Sequence, residues 1–123
     1  MEFIYRKRNI LVNGKVSWIA YDTEFVDCLN DSITIYRKSD GSYFTDGGFT
    51  TFNLDCFDRQ LDMPTWREDG IVDRICKRYG CEMKGDKEEL QALHGSQLIQ
   101  AIITIYTWMN LRSEDYEFIS SNA

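Results

Sequence analysis

The stretch Ile10-Leu11-Val12-Asn13-Gly14-Lys15-Val16-Ser17-Trp18-Ile19 sets two apolar runs on either side of an Asn-Gly pair. Asn and Gly tolerate the positive φ angles that a tight type I′ turn needs at both central positions, so this stretch predicts a β-hairpin. Beyond it, Tyr21 to Asn30 has two readings, because Phe25, Val26 and Leu29 also share a helical face. Ser32-Ile33-Thr34-Ile35-Tyr36-Arg37 alternates β-branched residues and, after Ser39-Asp40-Gly41, is followed by Ser42-Tyr43-Phe44-Thr45. Two strands joined by a turn are the simplest reading.

Farther along, the period changes. Phe52, Leu54, Phe57 and Leu61 are spaced for a short helix or a packed loop. Thr65 and Glu68 form a capping box behind Pro64, and Ile71, Val72, Ile75, Cys76 and Tyr79 recur at helical spacing up to Gly80. From Ser96, Leu98, Ile102, Ile105 and Met109 make one apolar stripe, and Ile99, Ile103 and Tyr106 a second beside it. So broad an apolar face predicts a helix lying across a sheet. Strands first and helices later make this an α+β chain, a small antiparallel sheet packed against two main helices. Between the helices, Cys81 to Leu93 reads either as a helix started by a capping box of Asp86 and Glu89 or as a short strand. Residues 113–123 read as a polar, acidic tail.

The 123 residues, 43% apolar and 14% aromatic, suit one domain whose core needs neither metal nor disulfide. With one Pro and no repeat, residues 1–30 read as an N-terminal hairpin and extension of that domain. No apolar run reaches the roughly 18 residues of a membrane span, and no signal peptide is read at the start. Cys28, Cys56, Cys76 and Cys81 are therefore expected as reduced, mostly buried thiols of a cytoplasmic protein.

Charge narrows the function. Residues 1–8 hold Arg6, Lys7 and Arg8 against Glu2, whereas the remainder has eleven bases against nineteen acids, a balance of −8. Asp22 to Asp62 is densest, with nine acids against Arg37, Lys38 and Arg59. Such a surface repels phosphates, so direct nucleic-acid binding is not expected and a partner with a basic groove is. The expected partner-binding residues are Asp22, Glu24, Asp27, Asp31, Asp46, Asp55, Asp58 and Asp62, with Tyr5, Trp18, Tyr43, Phe49 and Trp66 as anchors wherever they are exposed.

Catalysis finds little support. His94 is the sole histidine, and no nucleophile-elbow pattern surrounds any Ser or Cys, so no catalytic set is expected. Cys76 and Cys81 are spaced more loosely than a zinc knuckle, Gly41, Gly47 and Gly48 lack a following Gly-Lys-Ser/Thr step, and no metal or cofactor is expected. Asp46, in Thr45-Asp46-Gly47-Gly48, is either a turn residue or, in an alternative reading, the metal ligand of a small hydrolase or nuclease accessory.

Asp31, Ile33, Ile35 and Tyr36, the run Tyr43-Phe44-Thr45-Asp46-Gly47-Gly48-Phe49-Thr50, then Leu54, Arg74-Ile75, Tyr79-Gly80 and Leu98-Ile99-Gln100-Ala101-Ile102 give the chain a family likeness. Over about residues 31–112 it resembles DUF1828, a family of domains of unknown function from bacteria, phages and mobile elements. The resemblance implies an α+β fold, with strands at Cys81-Glu82-Met83 and Glu89-Leu90, and a setting of conflict between mobile elements and host defence. The leading expectation is a protein-binding inhibitor of a host defence nuclease, anti-CRISPR-like, whose acidic face enters a nucleic-acid channel. Two alternatives are the Asp46 hydrolase and an oligomeric structural subunit of a mobile-element complex; as an inhibitor the chain is expected as a monomer or homodimer.

Overall fold

The computed structural model describes residues 2–59 and 64–122, with side chains up to Arg112. Its order is β1 (Ile4–Val12), β2 (Lys15–Val26), β3 (Ser32–Lys38), β4 (Phe44–Thr45), α1 (Phe49–Asp58), α2 (Trp66–Asp69), α3 (Ile71–Arg78), β5 (Glu82–Lys84), β6 (Glu89–Ala92) and α4 (Gly95–Asn122). One antiparallel sheet, ordered β1-β2-β3-β4-β6-β5, carries four helices, and the fold is α+β as expected.

The β1–β2 hairpin turns where Asn-Gly requires it, with φ of 53° at Asn13 and 77° at Gly14. Tyr21 to Val26 resolves as strand: Tyr21 pairs with Ile35 and Asp22 with Thr34, which seats Tyr21 over the core. After β4 the chain leaves the sheet for α1 to α3. It returns along the far edge as β5 and turns back, with positive φ at Gly85 and Glu88, to lay β6 against β4.

Thr65 caps as expected, its hydroxyl accepting from the Glu68 amide. The helix it starts is nevertheless two helices, because Gly70 has φ of 78° and ends α2 before α3 begins. Gly70 thus works as a left-handed stop inside a continuous helical pattern. The last helix starts at Gly95, one residue before the expected Ser96 cap, and the His94 carbonyl accepts from the Leu98 amide. The segment expected as a tail from residue 113 continues α4 to Asn122.

Leu98, Ile102, Ile105 and Met109 of α4 are fully buried, and they meet Ile33 and Ile35 of β3, Leu54 of α1 and Val72 of α3 in one core cluster. Each such side chain contributes about 1.5–3 kcal/mol through its removal from water. All four cysteines are free; Cys76 and Cys81 are buried, Cys28 and Cys56 half-buried. No helix among the described residues is long and apolar enough to cross a membrane.

Candidate functional site

Helix α1 explains which aromatics reach the surface. Its inward face is Thr50, Thr51 and Leu54, all buried. Phe49 and Phe52, three residues apart, lie on the other side and are 58% and 62% exposed. Phe49 lines two neighbouring concavities. One, of about 270 Å³, lies between the β2–β3 loop, β3, α1 and α4, and its lining includes Asp27, Leu29, Asp31, Tyr36, Asn53 and Tyr106. The other, of about 510 Å³, is lined by Phe52 and Asp55 of α1 and by Asp86, Lys87 and Glu88 of the β5–β6 turn. Leu29, 69% exposed, lines the first concavity with Phe49, and Phe52 lines the second with Phe49, so Phe49 links these three exposed side chains into an apolar ridge.

The eight expected acids divide sharply. Asp22 is 2% exposed, clamped by Arg8 Nε and Nη2 at 2.8 Å, by Arg6 Nε at 2.6 Å and by the Thr34 hydroxyl at 2.7 Å. These bonds, those from Arg8 foremost, hold its carboxyl well below the usual carboxylate range. Asp46 is also 2% exposed. Its Oδ1 accepts from the amides of Gly48 and Leu90 and its Oδ2 from that of Thr50, so its acceptors serve the turn and the start of α1. Neither Asp22 nor Asp46 is presented to a partner.

Asp58 is interior as well: it accepts from Arg112 at 2.7 Å and from the Trp66 amide at 2.7 Å, and the Asp58 and Arg112 side chains are each 8% exposed. Asp55 stays at the surface but is shared, taking Trp66 Nε1 at 2.9 Å and Arg67 Nη1 at 2.6 Å. Burial alone would raise its carboxyl, and the Arg67 and Trp66 bonds outweigh burial and hold it low. Arg67 also reaches Glu88 and stacks on the Trp66 ring 4.2 Å from its centroid. Glu24 and Asp31 are exposed and Asp27 partly so, while Asp62 lies outside the described residues.

Of the four expected acids that reach the surface, Asp27, Asp31 and Asp55 line the two concavities beside the phenylalanines and Glu24 lines neither. Asp27 and Asp31 stand on one side, Asp55, Asp86 and Glu88 on the other, and Asp86, Glu88 and Phe52 were not among the expected residues. The i, i+3 spacing of Phe49 and Phe52 across a Thr50-Thr51-Leu54 face was the available signal. Of the remaining candidate anchors, Tyr5 is exposed, Trp18 and Tyr43 are half-buried, and Trp66 is buried under Arg67.

Among the described residues, no group of three or more His, Cys, Asp or Glu side chains is arranged to hold a metal ion. Tyr106 accepts from Asn53 Nδ2 at 3.0 Å, and burial pushes its phenol up to about 12, so it remains a protonated hydrogen-bonding group. Comparisons with protein-family models, with curated proteins and with solved structures found no match.

Proposed function

We propose that this protein works by binding another protein through the Leu29–Phe49–Phe52 ridge and its acidic rim, and that the partner is a nucleic-acid-handling nuclease whose basic channel it blocks. The observation that carries the reading is the exposure of two neighbouring phenylalanines between carboxylates. Large aromatics in a water-excluding ring dominate binding energy, and charge around them selects and steers a basic partner. The chain's net charge of −6 favours the same class of partner. The inhibitory role draws on the mobile-element setting that the DUF1828 resemblance implies.

The proposal differs from simple phosphate mimicry. With Asp22, Asp46 and Asp58 engaged inside the fold, apolar contact supplies the affinity and the rim supplies orientation. A test is to mix the purified chain with defence nucleases, CRISPR effectors included, and follow cleavage of their nucleic-acid substrate. Inhibition by the natural chain, lost in the Phe49→Ala/Phe52→Ala variant and weakened by Asp31→Lys and Asp86→Lys, is the expected result. Inhibition untouched by all four substitutions would remove this face from the mechanism.

A further inference from the structure

The smaller concavity has a chemical character that its neighbour lacks. Its walls hold three aromatic rings, Tyr36, Phe49 and Tyr106, over an apolar floor of Ile33 and Ile102, and its lining has no Lys or Arg. Two carboxylates at the β2–β3 loop, Asp27 and Asp31, contribute to it, while Asp46 also lines it with its oxygens engaged by buried amides. Two backbone bonds close this loop, from the Asp27 amide to the Asp31 carbonyl and from the Asn30 amide to the Asp27 carbonyl, and the amides of Leu29 and Asp31 both donate to Asp27 Oδ1. Asp27 Oδ2 and the Asp31 carboxylate have no hydrogen-bond donor among the described residues.

From this combination we infer that the concavity is a receptor for a guanidinium group, and that the partner anchors itself by inserting an arginine side chain beside Phe49. The inference rests on the docking reading above and specifies the residue type that the partner brings. A guanidinium is planar and weakly hydrated, stacks on aromatic faces and donates a fork of N–H groups to carboxylates. An ammonium, a compact and strongly hydrated point charge, gains less from ring walls. The volume of about 270 Å³ admits one side chain and its water, not a folded segment.

The full chain, isotope-labelled for amide NMR, is titrated with N-acetyl-arginine amide, with its neutral citrulline counterpart and with N-acetyl-lysine amide. Saturable shifts around Tyr36, Phe49, Asn53 and Tyr106 are expected with arginine, at least about tenfold tighter than with citrulline and tighter than with lysine. Asp31→Asn, an exposed change that leaves the fold intact, is expected to weaken arginine several-fold and leave citrulline unchanged. Equal response to arginine and citrulline, shifts clustered elsewhere, or no saturable response overturns the inference. Loss of inhibition in the Phe49/Phe52 variant, with no arginine response in the natural chain, removes this inference and leaves the docking reading standing. Arginine binding with inhibition that survives the phenylalanine substitutions removes the docking reading and leaves the guanidinium site.

Discussion

Asp46 and Leu90 exchange two hydrogen bonds across forty-four positions of sequence: the Asp46 amide donates to the Leu90 carbonyl at 3.1 Å, and the Leu90 amide donates to Asp46 Oδ1 at 2.9 Å. One carboxylate therefore joins β4 to β6 while its other oxygen holds the first turn of α1. Replacing Asp46 by Ala strips partners from three buried amides and is expected to cost about 3 kcal/mol, read from the denaturant midpoint at constant slope. Asp46→Asn keeps one carbonyl oxygen and is expected to cost less. A loss below about 1 kcal/mol in Asp46→Ala would mean that water replaces the carboxylate.

Asp58 and Arg112 form the most buried ion pair among the described residues, and Arg112 also donates to the Pro64 carbonyl and stacks on Trp108. Removing either partner leaves a charge stranded out of water, so Asp58→Ala and Arg112→Met are each expected to destabilise by about 3–5 kcal/mol. The double variant should regain part of that loss, because no lone charge remains. A double-mutant cycle by denaturation measures the recovery; additive losses would show that the two side chains act separately.

The pH response of stability is expected to carry the signature of Asp22. Its folded carboxyl titrates below the ordinary 3.8, through the Arg8 bonds first, then those of Thr34 and Arg6, with burial opposing them. A depressed carboxyl stabilises the fold fully above its unfolded value and loses that contribution as pH falls through the folded one. Stability should therefore drop below about pH 4. Asp22→Asn should flatten this part of the curve, whereas an unaltered acid limb would assign the acid sensitivity to other carboxylates.

Thiol chemistry separates the four cysteines. Burial pushes Cys76 up to about 12 and Cys81 to about 11, so both are almost wholly thiol near neutrality and shielded from reagent. Mass spectrometry after brief alkylation of the folded protein near pH 8 is expected to find the label on half-buried Cys28 and Cys56 and not on Cys76 or Cys81. Equal labelling at all four in native buffer would place α3 and β5 in rapid local opening.

The sequence announced elements whose cause is local. Asn13-Gly14 and the Thr65–Glu68 box act within a few residues, and the α4 stripe repeats often enough to mark its own inward face. The fates of Asp22 and Asp58 were not legible, since they depend on Arg8 and Arg112, separated from them by 14 and 54 positions and brought near only by the fold. Nor does helical spacing say which side of a helix as short as α1 turns inward; Leu54 and Phe52 are both apolar, and Leu54 is the one beneath the sheet's cover. Residues 81–93 needed strand partners to be settled, because an isolated three-residue β5 has little preference of its own.

Strand β1 forms one border of the sheet, and the middle of that border is Arg6-Lys7-Arg8. The chain's basic cluster thus sits where a second sheet would have to dock. Arg6 and Arg8 are paired with Asp22 of β2, so Lys7 is the cation of this cluster with no acidic partner among the described residues. Two copies approaching border to border would bring these lysines together, a repulsion that grows as salt is lowered. An acidic protein with an exposed nine-residue edge strand thus carries its densest run of positive charge on the border where another sheet would pair.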